Sequence, residues 1–230
     1  MSLISRFLDL LFPPLCPFCH KLLEEPGQPV CSRCQSTLPW LTGDNAHLSV
    51  ELSDGCFSPL AYTSSVSKAV HRYKFSRVRA CAAPFGLLMA QCAQDSLPIP
   101  ADAVTWVPLS RTRLRKRRFD QAELLAREVA ARLNLPVLDT LEKRWDTPPQ
   151  STLTDVAARR ANALGAYFPR PDLDLKGLRL LLVDDVVTSG ATLSECARLL
   201  LQSGAEQVWC LTLAQAGQKA RIAPECAQKL

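Results

Sequence analysis

The stretch 180–192, Leu-Leu-Leu-Val-Asp-Asp-Val-Val-Thr-Ser-Gly-Ala-Thr, constrains the fold more than any other part of the chain. Its four leading aliphatic residues have the pattern of a strand buried on both faces, which belongs in a parallel sheet covered by helices. Asp184 and Asp185 fall where that strand emerges at its C-terminal end. After two more valines comes the hydroxyl-rich turn Thr188-Ser189-Gly190-Ala191-Thr192, and 193–203 then has the period of an amphipathic helix. Open α/β sheets take their ligands at this edge, outside the carboxyl ends of the strands. A glycine-containing turn that opens a helix offers backbone N–H groups and a helix N-terminus, both suited to phosphate. Two carboxylates beside such a cradle suit ribose hydroxyls or a hydrated Mg2+. The combination points to a sugar phosphate. The plainer alternative is a strand–turn–helix whose acids merely mark a polar loop.

A second constraint comes from the cysteines. Of ten, Cys16, Cys19, Cys31 and Cys34 form two Cys-x-x-Cys pairs separated by eleven residues, and the others are scattered. Each two-residue spacer lets both sulfurs of a knuckle reach one ion, so the two pairs complete a tetrahedral four-cysteine zinc site. A redox dithiol needs only one such pair beside a βαβ unit, and a secreted disulfide module leaves the scattered cysteines unexplained. A closed shell of four thiolates has no open coordination position, which makes the expected zinc structural. His20 beside Cys19 reads as a surface residue.

At 230 residues the chain has room for one substantial domain plus a small one. The pattern divides it into a zinc-finger-like module at 1–42, a linker at 43–54 and an α/β domain at 55–230. Within the last, 56–62, 104–109, 135–138, 141–145 and 207–213 read as strands, with 163–168 returning to the sheet. Helices are expected at 66–74, 81–93 and 121–133. Strands alternating with helices make a largely parallel sheet flanked by helices. No segment reaches the roughly 18 uninterrupted apolar residues of a membrane span. The apolar N-terminus is interrupted by Asp9 and followed by no small-residue cleavage site, so the expected location is the cytoplasm.

The net charge of +5 is unevenly spread: between Lys68 and Arg118 there are eleven Lys or Arg residues and two acids. Six of those cations crowd into 111–118, just after the strand ending in Val107-Pro108. That loop faces the same sheet edge as the Asp-Asp turn, where cations neutralise a pyrophosphate. A solvated basic helix start is the alternative. Six cations exceed what one pyrophosphate needs, and the surplus suits a longer polyanion such as nucleic acid.

Residues 183–192 match the 5-phosphoribosyl-1-pyrophosphate (PRPP) motif of type I phosphoribosyltransferases, and the chain resembles that family there. The resemblance implies that Asp184 and Asp185 bind the ribose 2′- and 3′-hydroxyls and are the residues on which any catalysis rests. It implies that Thr188, Ser189, Gly190, Ala191 and Thr192 hold the 5′-phosphate, and that Ser110, Arg111 and Arg113 meet the pyrophosphate by position. Further motifs occur in order: the four-cysteine N-terminus, Lys74-Phe75, Val107-Pro108, 118–121, Thr147 to Gln150, and Arg159 to Asn162. Together they are similar to the ComF/GntX family, over nearly the whole of 15–213. That likeness implies natural competence or the use of external DNA, with PRPP and Mg2+ as ligands, single-stranded DNA as a partner, and competence or DNA-processing proteins as associates. One segment departs from the family, which usually has Arg-Gly-Phe-Asn-Gln where this chain has Arg117-Arg118-Phe119-Asp120-Gln121. An arginine does not freely adopt the positive φ open to glycine, and an aspartate cannot donate as an asparagine amide does.

Three functions fit: a working phosphoribosyltransferase, a PRPP-binding protein that handles DNA, or a regulatory module sensing PRPP. The sequence displays no evident base pocket. Trp40, Phe57, Tyr62, Tyr73 and Phe75 could form a hood over a base or stack on exposed bases of single-stranded DNA. The favoured reading is PRPP binding coupled to DNA handling, with catalysis open.

Overall fold

A computed structural model describes residues 14–25, 27–75, 79–146, 165–171 and 173–217. The motif stretches Thr147 to Gln150 and Arg159 to Asn162 lie outside them. In chain order the strands are β1 (His47–Leu48), β2 (Gly55–Phe57), β3 (Leu60–Ala61), β4 (Ala103–Trp106), β5 (Leu141–Lys143), β6 (Tyr167–Pro169), β7 (Arg179–Val187) and β8 (Gln207–Gln215). The α-helices are α1 (Ser32–Thr37), α2 (Ser64–Phe75), α3 (Ala82–Ser96), α4 (Arg111–Arg117), α5 (Gln121–Leu133) and α6 (Ala191–Gln202).

β7 lies between β4 and β8 and runs parallel to both; β8 pairs in parallel with β2 and, further along, with β3. Short β1 closes the edge antiparallel to β2. Leu180 to Val183 are fully buried, as a central parallel strand requires. Alternation sends Leu181, Val183, Leu211 and Leu213 into the core shared with α3 and α5, and Leu180, Leu182, Val208 and Cys210 into the core under α6. The parallel strands β2, β3, β4, β7 and β8 point their carboxyl ends the same way, and the ends of β4 and β7 meet at one edge.

The structure differs from the sequence reading in four places. The strand expected at 56–62 is cut into β2 and β3, because Pro59 has no N–H to give a ladder. The strand expected at 135–138 reduces to a single bridge, Val104 to Val137. β6 does not rejoin the main sheet; it pairs antiparallel with β5 in a separate two-stranded ribbon, tied to the end of β4 by a Ser110–Lys143 bridge. The loop-like stretch 43–54 contains a 3-10 turn (Gly43–Ala46) and β1, and its Asp54 carboxylate accepts from the Val208 N–H at 2.8 Å. No helix among the described residues is long and apolar enough to cross a membrane.

Candidate ligand-binding cleft and metal centre

A cleft of about 520 Å3 opens at the shared edge of β4 and β7. Asp184, Asp185, Thr188 and Thr192 line it from the β7–α6 side. Arg113, Lys116 and Arg117 line it from α4, and Lys74 and Phe75 from the end of α2. Asp185, nearly buried, holds the Lys74 ammonium at 2.7 Å. Asp184 accepts a hydrogen bond from the Asp185 N–H at 2.8 Å. Desolvation, then the neighbouring Asp185 charge, hold the Asp184 carboxyl well above the usual carboxylate range, against the pull of Lys74. A carboxyl raised in this way can donate as well as accept toward ligand hydroxyls.

The turn after β7 is shaped for close approach. Gly190 has φ 74°, and a Cβ there would stand 3.2 Å from a Val50 methyl. The backbone conformation favours glycine, and Val50 leaves a side chain little room. Thr188 and Thr192 border the cleft, and Ser189, Gly190 and Ala191 complete the turn between them. The Ser189 hydroxyl is buried without a hydrogen-bond partner among the described residues. A buried polar atom of that kind costs about 1–3 kcal/mol unless a ligand or water meets it. With the open N–H groups of α6's first turn, the donor set fits a phosphate.

Behind the other wall, Ser110 is buried and does not border the cleft; it caps α4, accepting from the Arg113 N–H at 3.3 Å and donating to the Asp146 carboxylate. Arg113 Nε lies 4.0 Å from Asp146. Arg111, expected beside it, is exposed and does not border the cleft. Arg117 does: it donates to the Gln121 side chain at 2.7 Å, and its guanidinium lies 5.0 Å from the Phe75 ring centroid. Lys74, Phe75 and Arg117 were expected on a base-stacking or strand-binding surface, and the structure places all three on the wall of this cleft. Basic residues alternating with aromatics were the available signal.

The departure at 117–121 is absorbed by the backbone. Arg118 adopts φ 68° at the C-terminus of α4, its N–H bonded to the Leu114 carbonyl at 2.6 Å. Asp120 caps α5, one oxygen accepting from the Ala122 and Glu123 N–H groups and the other from the Leu109 N–H at 2.7 Å. All three partners are donors, so this position needs acceptors and an aspartate serves. Burial raises Asp120 to about 6, although those N–H bonds oppose the rise.

The aromatic residues divide. Tyr73 is wholly buried and donates to the Gln121 carbonyl at 2.9 Å. Trp40 and Phe57 line a separate cavity of about 620 Å3, where Phe57 stacks on Trp209 with centroids 5.7 Å apart. Among the described residues no Lys or Arg borders that cavity, so it does not suit a polyanion. Tyr62 and Phe75, with His71, line the first cleft, and Phe75 is 53% exposed. The cleft therefore has an aromatic wall built from two of the five aromatics that could form a hood, joined by His71.

In the N-terminal module the sulfurs of Cys16, Cys19, Cys31 and Cys34 all lie within 4.8 Å of one another, and none of the described cysteines is in a disulfide. The Cys19–Cys31 pair is 3.5 Å apart. A tetrahedron with Zn–S of about 2.3 Å has edges of about 3.8 Å, so the cluster has the dimensions of a zinc site. His20 contributes a turn, not a ligand: with φ 61° it donates its N–H to the Cys16 carbonyl at 2.9 Å. The module is docked on the core by Phe18, whose ring lies 5.5 Å from Phe85, and by Arg72, which donates to the Pro17 and Phe18 carbonyls at 2.8 and 2.9 Å.

Comparison with known proteins bears on both parts. A phosphoribosyl transferase domain model matches residues 120–225, and a double zinc ribbon domain model matches residues 7–45. The DNA utilization protein YhgH of Salmonella typhi is 36% identical over 216 residues, covering 86% of this chain and 83% of that protein. Competence protein F of Haemophilus influenzae is 28% identical over 210 residues, covering 88% and 90%. Among solved structures, glutamine PRPP amidotransferase from B. subtilis aligns with 56% of this chain and 26% of its own, at 21% identity and a TM-score of 0.39.

Proposed function

Because the chain belongs to the ComF/GntX family, that of DNA utilization protein YhgH and competence protein F, we propose that it binds PRPP with Mg2+ in the β4–β7 cleft and handles single-stranded DNA. One observation carries the ligand: a carboxylate pair, a hydroxyl turn and a set of cations border a single cleft of about 520 Å3. Asp184 and Asp185 take the ribose 2′- and 3′-hydroxyls once Lys74 gives up Asp185. Thr188, Ser189, Gly190, Ala191 and Thr192 take the 5′-phosphate. Arg113, supported by Lys116 and Arg117, faces the pyrophosphate, and Ser110 holds the start of α4 behind them. Mg2+ bound with the diphosphate supplies the remaining countercharge. Arg111 is better assigned to the outer basic surface. Cys16, Cys19, Cys31 and Cys34 hold a structural Zn2+, and a reducing cytoplasm keeps the scattered thiols as thiols.

Calorimetry tests the ligand. Wild type binds PRPP with Mg2+, and the Asp184→Ala, Asp185→Ala variant does not; equal binding by both overturns the assignment. For DNA, the support is the exposed run Arg111, Arg115, Lys116 and Arg118 beside the exposed ring of Phe75. Backbone phosphates meet the cations and bases stack on the ring. Neutral residues at Arg113, Arg115, Lys116 and Arg117 should weaken single-stranded DNA binding and flatten its salt dependence. Undiminished affinity removes that surface.

The aromatic wall favours a second reading, an active phosphoribosyltransferase. A nitrogen nucleophile seated against Tyr62, His71 and Phe75 would attack C1 of the ribose as pyrophosphate leaves, with orientation and charge stabilisation supplying the catalysis. Pyrophosphate release from PRPP, Mg2+ and a panel of bases decides it, and no release with any base sinks the free-base enzyme.

A further inference from the structure

One ion pair inside the cleft occupies a group that the proposed ligand needs. Lys74 Nζ, from the last turn of α2, lies 2.7 Å from Asp185 Oδ1, and the two side chains are 23% and 11% exposed. Among the described residues Lys74 has no other hydrogen bond or ion pair, and no N–H group reaches the Asp185 carboxylate. The arginines of the cleft are held differently. Arg117 donates to the Gln121 side chain at 2.7 Å and lies against the Phe75 ring, and Arg113 Nε is 4.0 Å from Asp146. Burial draws the Arg117 guanidinium down, opposed first by the charge of Asp185, so Arg117 backs the pair through space. Lys74 and Arg117 border the cleft together, with the Phe75 ring between them in the wall.

We infer that Lys74 is a two-position cation that makes the cleft select sugar phosphates carrying a diphosphate over sugar monophosphates. Paired with Asp185 at first, it turns to the diphosphate as the ligand enters and frees the carboxylate for the ribose hydroxyls. This rests on the PRPP reading above and adds a specificity-determining residue to it. A nearly buried carboxylate and its ammonium are each strongly disfavoured without a partner. Ribose 5-phosphate offers Asp185 hydroxyls but gives Lys74 no second anion, so binding it leaves the ammonium unpaired. PRPP offers hydroxyls to the carboxylate and a diphosphate to the ammonium, and nothing stays unpaired. Discrimination then comes from what the wrong ligand leaves uncompensated. Lysine suits the exchange, being a compact charge with rotatable donors on a flexible stem.

The test uses the zinc-loaded full chain and three separate probes in one Mg2+ buffer: PRPP, ribose 5-phosphate and inorganic pyrophosphate, with binding measured by calorimetry. Lys74→Met should weaken pyrophosphate about tenfold, the loss of one charged hydrogen bond, and tighten ribose 5-phosphate about fivefold. The preference for PRPP over ribose 5-phosphate should shrink accordingly. A plain countercharge at position 74 would, on removal, weaken both anions, and a merely structural role would move both the same way. Opposite signs are the signature of the exchange. Should Lys74→Met fail to fold, Lys74→Gln, which stays polar at this half-buried site, carries the same pair of measurements. A folded variant that binds ribose 5-phosphate no tighter than wild type, or pyrophosphate no weaker, overturns the exchange and leaves the PRPP reading standing. If wild type binds neither PRPP nor ribose 5-phosphate, the sugar-phosphate reading fails and takes the role of Lys74 with it.

Discussion

The zinc module and the end of β7 both crowd groups that repel one another, and they are held in place by opposite means. In the module the four sulfurs sit in a short segment whose own apolar content is small, and its anchor to the core is Phe18 with Arg72. The cluster there is the scaffold. At β7 the two carboxylates ride on a strand already fixed by four fully buried aliphatics and two parallel neighbours. The cluster there is cargo. Removing what binds the first should cost folding, whereas removing the acids of the second should cost binding and relieve the fold.

Metal removal is the largest expected effect, since structural zinc contributes on the order of 10 kcal/mol to such a module. Freshly purified protein should hold one zinc per chain. Chelation, or Cys16→Ser, should strip amide protection from the module and from the Phe18–Phe85 contact while the β7 and β8 amides stay protected. Loss of protection throughout the sheet at the same chelator concentration would make the two regions one cooperative unit and end the contrast.

Asp184→Asn examines the other side. PRPP affinity should fall about a hundredfold, about 3 kcal/mol, while the ligand-free protein gains stability at neutral pH. The sign follows from the raised Asp184 carboxyl. Above roughly pH 4 the unfolded chain has released this proton and the folded chain has not, so wild-type stability declines as pH rises. The asparagine variant lacks that part of the decline. Urea midpoints at pH 5 and pH 8 measure it, and a variant less stable than wild type at pH 8 would break the claim that the acids burden the fold.

The contrast also explains what sequence could and could not supply. Helix α5 occupies Gln121–Leu133, the same span read from its apolar period, and β7 and α6 follow the aliphatic run and the amphipathic stretch. Periodicity reports which face of a local element is buried. The Cys-x-x-Cys spacing is equally local. Nothing local pairs Lys74 with Asp185, sets Lys143 against Tyr167, or sends Phe57 to Trp209 and Phe75 to Arg117. Those contacts join distant segments through the crossovers of the sheet. Pro59 was visible, but a strand interrupted by one proline and resumed on the same neighbour was not.

Asp120 offers a smaller test in which a buried acid is scaffold as well as charge. Its carboxyl is raised to about 6, so wild type loses stability between about pH 4 and pH 6 on this account. Asp120→Asn removes the charge but turns an N–H2 group toward the Leu109 N–H, which now donates to the carboxylate. Relative to wild type, the variant should gain about 2 kcal/mol on going from pH 4 to pH 7, whichever protein is the more stable at the start. Parallel pH profiles for the two proteins would show that Asp120 does not carry that dependence.

Arg118→Gly is the smallest change. Both hydrogen bonds at this residue use backbone atoms, its N–H to Leu114 and its carbonyl from Arg79, so glycine keeps them. The left-handed conformation costs a side-chain-bearing residue about 1–2 kcal/mol, and glycine's greater freedom in the unfolded chain returns about 0.5–1 of that. A net stabilisation of about 0.5–1 kcal/mol is expected from urea unfolding at constant m. Asn134 provides the control: it ends α5 at φ 55° with the same handedness. Asparagine tolerates that region, so Asn134→Gly should gain less than Arg118→Gly. Equal gains at the two sites would mean that arginine carries no special strain there, and the departure at 118 would then have a reason other than tolerated backbone cost, such as charge presented to DNA beside the cleft.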